Sequence, residues 1–286
     1  MQDEIVARLA NELQVELIAA AARRSETTPN PDSMDLYFQA RAILSHGVTP
    51  EILARARELC ERALQMDSRN VHALVQAALV DFHAGVDYMA EDRQSLLMSA
   101  EMKITKALAA APELARAHYV MGWVLCATNR VERGMEELER ALASDANLAV
   151  AHAAKGWAKI ESGRAEEAEV HILEALRLSP RDTTAYLWFY FLGRAKAYLG
   201  QFGEAAPWLR KSIDANRNWP WGFFFLAACL AHMDRIDDAR REVKAGLEVL
   251  PTLTLHRLGP RSDNPVVLAQ RERVIEGMRM AGLPEQ

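Results

Sequence analysis

At 286 residues, half of them hydrophobic and 26% charged, the chain is long enough to bury a sizeable core and too apolar to be disordered. Its 34 basic and 39 acidic side chains leave a formal net charge of −5, which argues against a nucleic-acid surface. Three cysteines, Cys60, Cys126 and Cys229, form no CxxC pair, so they offer no zinc-ligand spacing and read as buried thiols of a reducing, cytoplasmic compartment. The opening residues carry several charges and do not read as a signal peptide, and no apolar run approaches the roughly 20 residues that crossing a bilayer requires.

Taken in order, residues 3–24 predict one helix with acids early and arginines at its end, as the helix dipole favours. Ile5, Leu9, Leu13 and Leu17 form a stripe along it at four-residue spacing. That stripe is too apolar for water, so the helix is expected to dock on the body of the chain or on a second copy. A polar linker with two prolines follows at 25–33 and closes an N-terminal segment, 1–33. Helices are predicted over 34–45 and 50–66, and a second helix pair runs from near Asn70 to Pro112.

Between Ala115 and Pro180 the text repeats itself. Ala117 and Ala151, His118 and His152, Gly122 and Gly156, Trp123 and Trp157, and Ala141 and Ala175 each stand 34 residues apart. Within one unit, 149–162 places apolar or small residues at helical spacing without a proline, and Gly163 interrupts it as glycine does at a left-handed turn. Ala165, Ala168, Ile172, Ala175 and Leu176 then make the stripe of a second helix, which Pro180 stops.

The last small residue of each second helix serves as a ruler: Ala63, Ala107, Ala141, Ala175, Ser212 and Gly246, at intervals of 44, 34, 34, 37 and 34. Six repeats over 34–251 result, with about ten extra residues in the second and three in the fifth. The ten fall around 82–93, as a lengthened first helix or a projecting loop. The three fall near 187–192, inside an aromatic run, and read as a longer first helix. The tail, 252–286, is irregular over 254–265 and helical over 266–281, where Val267, Val274, Ile275 and Met278 suit a helix capping the last repeat.

A 34-residue period with a glycine midway along the first helix, alanines on the second and a closing proline resembles the tetratricopeptide repeat. The resemblance implies an all-α, right-handed α-solenoid of about six helix-turn-helix repeats, with an N-terminal helix and a C-terminal capping helix. It also implies a concave, partner-binding groove lined by first helices. The groove positions it maps are His72, Val75, Leu79, Tyr119, Trp123, Ala153, Trp157, Tyr190, Arg194, Trp221 and Phe224. Tyrosine and tryptophan favour interfaces, so a protein or peptide partner, extended or helical, is expected. The same aromatics would also serve as core between helix layers, or in self-association as a homodimer or scaffold. Chaperone-tail binders of this family hold a terminal carboxylate in a clamp of basic and amide side chains. The matching places here hold Tyr119, Trp123, Ala153 and Trp157, so that clamp is missing.

Beyond the repeats, QDEIVARLANELQVELI at the opening, DLYFQARAIL with ARELCERALQMD in the first repeat, and SDNPVVLAQRERVIEGMRMAGLPE at the end resemble the C-terminal region of bacterial multidomain regulators. In those, a class III adenylate/guanylate cyclase or a winged-helix domain precedes the repeats. That resemblance implies a regulatory or sensor region. No HExxH, P-loop or GxSxG stands in the sequence, so no catalytic, cofactor or metal residue is assigned and the chain reads as non-catalytic. His118 and His152 read as packing residues of equivalent sites, and His83 with Asp81, Asp87, Glu91 and Asp92 as a solvated acidic patch.

Overall fold

The computed structural model describes residues 13, 16–26, 28, 30–45, 47–86, 92–259 and 262–286, and among these there is no strand. Helices follow one another in pairs: α1 (Ser33–Leu44) with α2 (Pro50–Met66), α3 (Val71–Val86) with α4 (Arg93–Ala110), and α5 (Ala115–Ala127) with α6 (Val131–Ser144). Then come α7 (Ala149–Glu161) with α8 (Ala168–Leu178), α9 (Ala185–Tyr198) with α10 (Phe202–Ala215), α11 (Pro220–His232) with α12 (Ile236–Val249), and a closing α13 (Pro265–Met280). The fold is an all-α repeat solenoid. Its entry signals are local. Asp32 and Asp35 form a capping box on α1, Thr49 caps α2 ahead of Pro50, Asp92 caps α4, and Asn264 caps α13 ahead of Pro265.

The ruler residues end the second helices in one way throughout. The amides of Asp67, Ala111, Asp145, Ser179, Asn216 and Leu250 donate to the carbonyls of Ala63, Ala107, Ala141, Ala175, Ser212 and Gly246 at 2.8–3.0 Å. All six ruler residues are buried, and the one hydroxyl among them, on Ser212, donates to the Tyr186 carbonyl at 2.8 Å. The turns between paired helices repeat as well. Asn129, Gly163, Gly200 and Asp234 take left-handed φ values of 62°, 81°, 76° and 59°, one after each first helix of repeats three to six. The midway glycine of the first helix is a contact point. A Cβ on Gly122 would stand 2.7 Å from Leu138, one on Gly193 2.5 Å from Leu209, and one on Gly156 closer still to Ile172. No larger residue fits there without moving the second helix.

The ten extra residues of repeat two are shared out. Helix α3, at 16 residues, is three longer than α5, and α4, at 18, is four longer than α6. The remaining three fall between the helices. In repeat five the expected longer first helix takes one extra residue only, since α9 has 14 residues against 13 in α7. The other two lie in the connection before it, at 179–184.

Asp81 corrects a second expectation. It is 1% exposed rather than solvated, and sits between Arg57, at 2.7 Å, and Lys103, with the Ser99 hydroxyl donating to it at 2.8 Å. Asp92 is the α4 cap, while Asp87 and Glu91 lie outside the described residues. The helix has brought Asp81 round to face α2 and α4, where buried charge requires partners.

By internal contacts the chain forms two compact units, residues 1–154 with 175–183, and residues 155–174 with 184–286. In the first unit α1, α3 and α5 touch in succession as a row of first helices, each paired with its second helix. Residues 16–26 are helical there and are seated by Ala22 and Ser25. The stripe residues Leu13 and Leu17 are 60% and 67% exposed, so this part of the stripe faces solvent instead of docking; Ile5 and Leu9 lie outside the described residues.

In the second unit α9 and α11 touch, and α13 packs on both. Helix α13 crosses the C-terminal ends of first helices rather than lying along α12. Asn264 Nδ2 donates to the Ser162 carbonyl at 2.9 Å, His232 Nε2 lies 2.7 Å from the Arg273 carbonyl, and a Cβ on Gly277 would come within 2.7 Å of the Ala228 carbonyl. The residues after it, Ala281 and Gly282, lie beside Val243 and Lys244 of α12.

Urea titrations of three sites test this packing. Gly156→Ala is expected to cost roughly 1–3 kcal/mol by overpacking, and combining it with Ile172→Ala should cost less than the two separate losses summed. Gly203→Ala, whose Cβ would meet nothing within 4 Å, should be neutral or stabilising in the same urea titration. Asp81→Ala is expected to lose about 3 kcal/mol, the low end for a broken buried pair because Arg57 and Lys103 keep access to water. A urea midpoint equal to wild type would show that this network contributes nothing.

Candidate functional site: the first-helix row of the N-terminal unit

The row α1, α3, α5 gathers aromatic and cationic side chains at one-turn spacing. Tyr37 and Arg41 lie a turn apart on α1, and Arg41 Nη1 donates to the Tyr37 hydroxyl at 3.0 Å. The Tyr37 ring stands 5.5 Å from His72 on α3 and 5.1 Å from Phe38. On α5, Tyr119 packs 5.2 Å from Trp123, which lies 4.8 Å from Phe82 and 5.7 Å from His83 of α3. Tyr37, Val75, Leu79, Phe82, Tyr119 and Trp123 are buried, while Phe38, Arg41, His72 and Arg116 are half-buried. The aromatics thus form a floor packed on itself, and what remains accessible is largely cationic.

Electrostatics sets this row apart. Burial, and after it the charge of Arg116, brings the Arg41 guanidinium down to about 10. Burial, then Arg116 and Arg41, holds His72 below its usual value. Burial pushes the Tyr119 phenol above its usual range, with Arg116 and Arg41 opposing. Asp182, from the lengthened connection after α8, acts on Arg41 and Tyr119, yet among the described residues no carboxylate forms an ion pair with Arg41 or Arg116. Two arginines therefore share one another's field with little compensation. Arg116 Nε is buried without a hydrogen-bond partner among the described residues. So are both amide atoms of Gln76, a 1%-exposed side chain one turn from His72 on α3.

The other expected groove residues divide. Ala153 is buried in α7 and Trp157 likewise. In the second unit, Tyr190 packs 5.7 Å from Trp219 and 5.2 Å from Phe225, and Trp221 stands 6.1 Å from Phe224. Arg194 is buried in an ion pair with Glu161 at 2.6 Å and donates to the Tyr198 hydroxyl at 3.0 Å. All of these are packed side chains. His118 holds Glu137 at 2.6 Å and the Pro112 carbonyl at 2.7 Å, and His152 reaches the Ala146 carbonyl at 3.0 Å, so each histidine ties back to the carbonyl six residues earlier. The three thiols are buried and form no disulfide, and burial pushes Cys60 and Cys229 up to about 12.

Arg41, Gln76 and Arg116 were not foreseen. Their signal is present all the same: Gln76 stands four residues after His72 and Arg116 three before Tyr119, each one turn from an expected groove position.

Residues 189–218 match the tetratricopeptide repeat family, which identifies repeat five directly. Comparison with curated proteins finds no match. Among solved structures, the chain is similar to the human IFIT1 dimer with PPP-AAAA (TM-score 0.64, 14% identity, 80% of this chain and 55% of that one). It is also similar to the APC/C hetero-tetramer Cut9-Hcn1 (0.62, 13%, 94% and 47%) and to PilW, a type IV pilus biogenesis factor (0.51, 21%, 72% and 89%). Likeness at these identities shows the repeat fold alone. No helix among the described residues is long and apolar enough to cross a membrane.

His72 makes the row sensitive to acid. Folding holds its proton affinity below the unfolded value of 6.5, through burial and through Arg116 on α5 and Arg41 on α1. The unfolded chain therefore binds the proton first, and stability, whole above about pH 6.5, falls as the pH drops through the lowered value. His72→Gln should flatten this decline between roughly pH 7 and 5 in urea midpoints. A decline unchanged in the variant would remove His72 as its source.

Proposed function

We propose that the chain is a non-catalytic protein-interaction module whose first unit holds an extended peptide or a helix along α1, α3 and α5. The supporting observation is the contrast between this row and its counterpart. Here half-buried polar side chains lie over a packed aromatic floor, while in the second unit α13 already occupies the ends of α9 and α11. Repeat solenoids present continuous surfaces of this kind because each unit contacts only its neighbours and leaves one face of the first helices uncommitted. The aromatic residues Tyr119 and Trp123 then act as a rigid floor beneath the partner, with Val75 and Leu79 on the neighbouring α3.

A second reading, a regulatory region of a cyclase-type or transcriptional signalling protein, draws on the likeness of the opening, first-repeat and closing stretches to such regulators. It would make the occupant of the row part of the same regulator. A cyclase or winged-helix segment in the same reading frame supports it, and a gene start at Met1 removes it. Self-association draws on the exposed Leu13 and Leu17, and a monomeric mass at all concentrations in sedimentation would set it aside.

The first reading is tested by selecting binders from a displayed random peptide library on the full chain, followed by hydrogen exchange with an enriched peptide. Protection is expected on α1, α3 and α5 and not on α2, α4 and α6. No enrichment over an unrelated helical protein, or protection confined to the second helices, refutes it.

A further inference from the structure

We infer that Arg41, His72 and Arg116 form a carboxylate-binding site, which takes the side chain of an aspartate or glutamate within an extended segment of a protein partner. The inference rests on reading the first-helix row as a peptide surface. Three neighbouring helices each contribute one basic group: Arg41 from α1, His72 from α3 and Arg116 from α5. The three share one electrostatic environment, and the two guanidiniums stand half-buried without an ion-pair partner among the described residues. Several other charges of this chain at comparable depth are matched: Asp81 by Arg57 and Lys103, Arg194 by Glu161, Glu101 by Arg130 at 2.6 Å. Uncompensated like charges at one point are costly to a free protein and are relieved by an anion. A carboxylate suits the planar fork of arginine, which meets both of its oxygens at once.

Unmet hydrogen-bonding groups stand on α3 and α5 as well. Arg116 Nε and both amide atoms of Gln76 are buried without partners, and buried polar groups of folded proteins are nearly always satisfied. Tyr37 fixes Arg41 from one side, through the hydroxyl that accepts its Nη1 hydrogen at 3.0 Å. Burial, which holds the Tyr119 phenol protonated, leaves that side chain neutral beside Arg116. The row continues past the cluster in both directions, to Phe38 on one side and to Trp123 with Phe82 on the other. The occupant therefore passes through the site rather than ending in it, which assigns the carboxylate to a side chain. A nucleic-acid strand would need a track of basic groups, whereas this chain carries a net charge of −5.

The test uses the full chain and a random peptide library fused at its C-terminus, so that no peptide offers a free terminal carboxylate. Enriched sequences are expected to carry Asp or Glu at one fixed register. A synthetic, amidated peptide of that sequence should lose about tenfold or more in affinity when its acid is replaced by the amide, or when Arg41→Gln or Arg116→Gln is introduced. Arg41→Lys and Arg116→Lys should lose less, since charge remains and only the fork is lost. Because the free protein sheds a like-charge repulsion, Arg116→Gln should melt no lower than wild type, which separates lost binding from lost folding. Enriched peptides with no acidic register, or with affinity unmoved by the arginine variants, overturn the carboxylate site while leaving peptide binding intact. Absence of any enrichment removes the underlying reading, and tighter binding of a single-stranded oligoribonucleotide than of any peptide overturns both.

Discussion

Everything in this chain depends on how closely a first helix can approach its second. At Gly122, Gly156 and Gly193 the missing Cβ lets Leu138, Ile172 and Leu209 seat against backbone. Each pair so formed buries one face of the second helix, whose last small residue can then end it with the same carbonyl-to-amide bond in all six repeats. The left-handed residues Asn129, Gly163, Gly200 and Asp234 turn the chain into the second helix in the same way in repeats three to six. With that contact fixed, length can still vary around it: repeat two lengthens both of its helices and the turn between them, and repeat five adds two residues before α9 and one within it. This close contact explains why a helix-rich chain with modest local propensity at its glycines stays helical there: packing gained across the pair outweighs about 1 kcal/mol of propensity lost per glycine.

Much of this was legible. The ruler residues marked each repeat because small size at the end of a second helix is a steric demand, and steric demands leave a mark in residue type. Gly163 announced its turn for the same reason. What periodicity could not show is what covers a position once the helices are stacked. Tyr190 and Trp221 stand at positions the repeat assigns to a groove, yet Trp219, Phe225 and Phe224 close over them from within the same unit. Asp81 looked like one acid of a solvated patch because its neighbours in sequence are acidic, and its neighbours in space, Arg57 and Lys103, lie more than twenty residues away on either side. The tail helix had the apolar stripe expected of a cap, but a stripe does not say which surface it will cover.

The cations on the first-helix row were missed for a related reason. A reader looking for interface hot spots picks out Tyr119 and Trp123, whereas Arg41 and Arg116 resemble ordinary surface arginines of a charged helix. Their meaning is three-dimensional. Each is harmless alone, and the field arises because α1, α3 and α5 stand side by side with the two guanidiniums turned to one region. The extra residues before α9 add to this, since they carry Asp182 to a position where it acts on Arg41 and Tyr119. An insertion that looked like a slightly longer helix is part of the electrostatics of a distant repeat.

The two units therefore spend their first helices differently. In the second, buried charge is closed off: Arg194 has Glu161 and Tyr198, and the ends of α9 and α11 have α13. In the first, Arg41 and Arg116 have no ion-pair partner among the described residues, and Arg116 Nε and both amide atoms of Gln76 have no hydrogen-bond partner there. A repeat that needs only its neighbours for stability can carry such a deficit, because the cost stays local and the packing of each first helix on its second is untouched by it. That tolerance is what a binding surface requires. Its polar groups must be held in place by the fold and yet be unsatisfied by it, and the proposed carboxylate site rests on that condition.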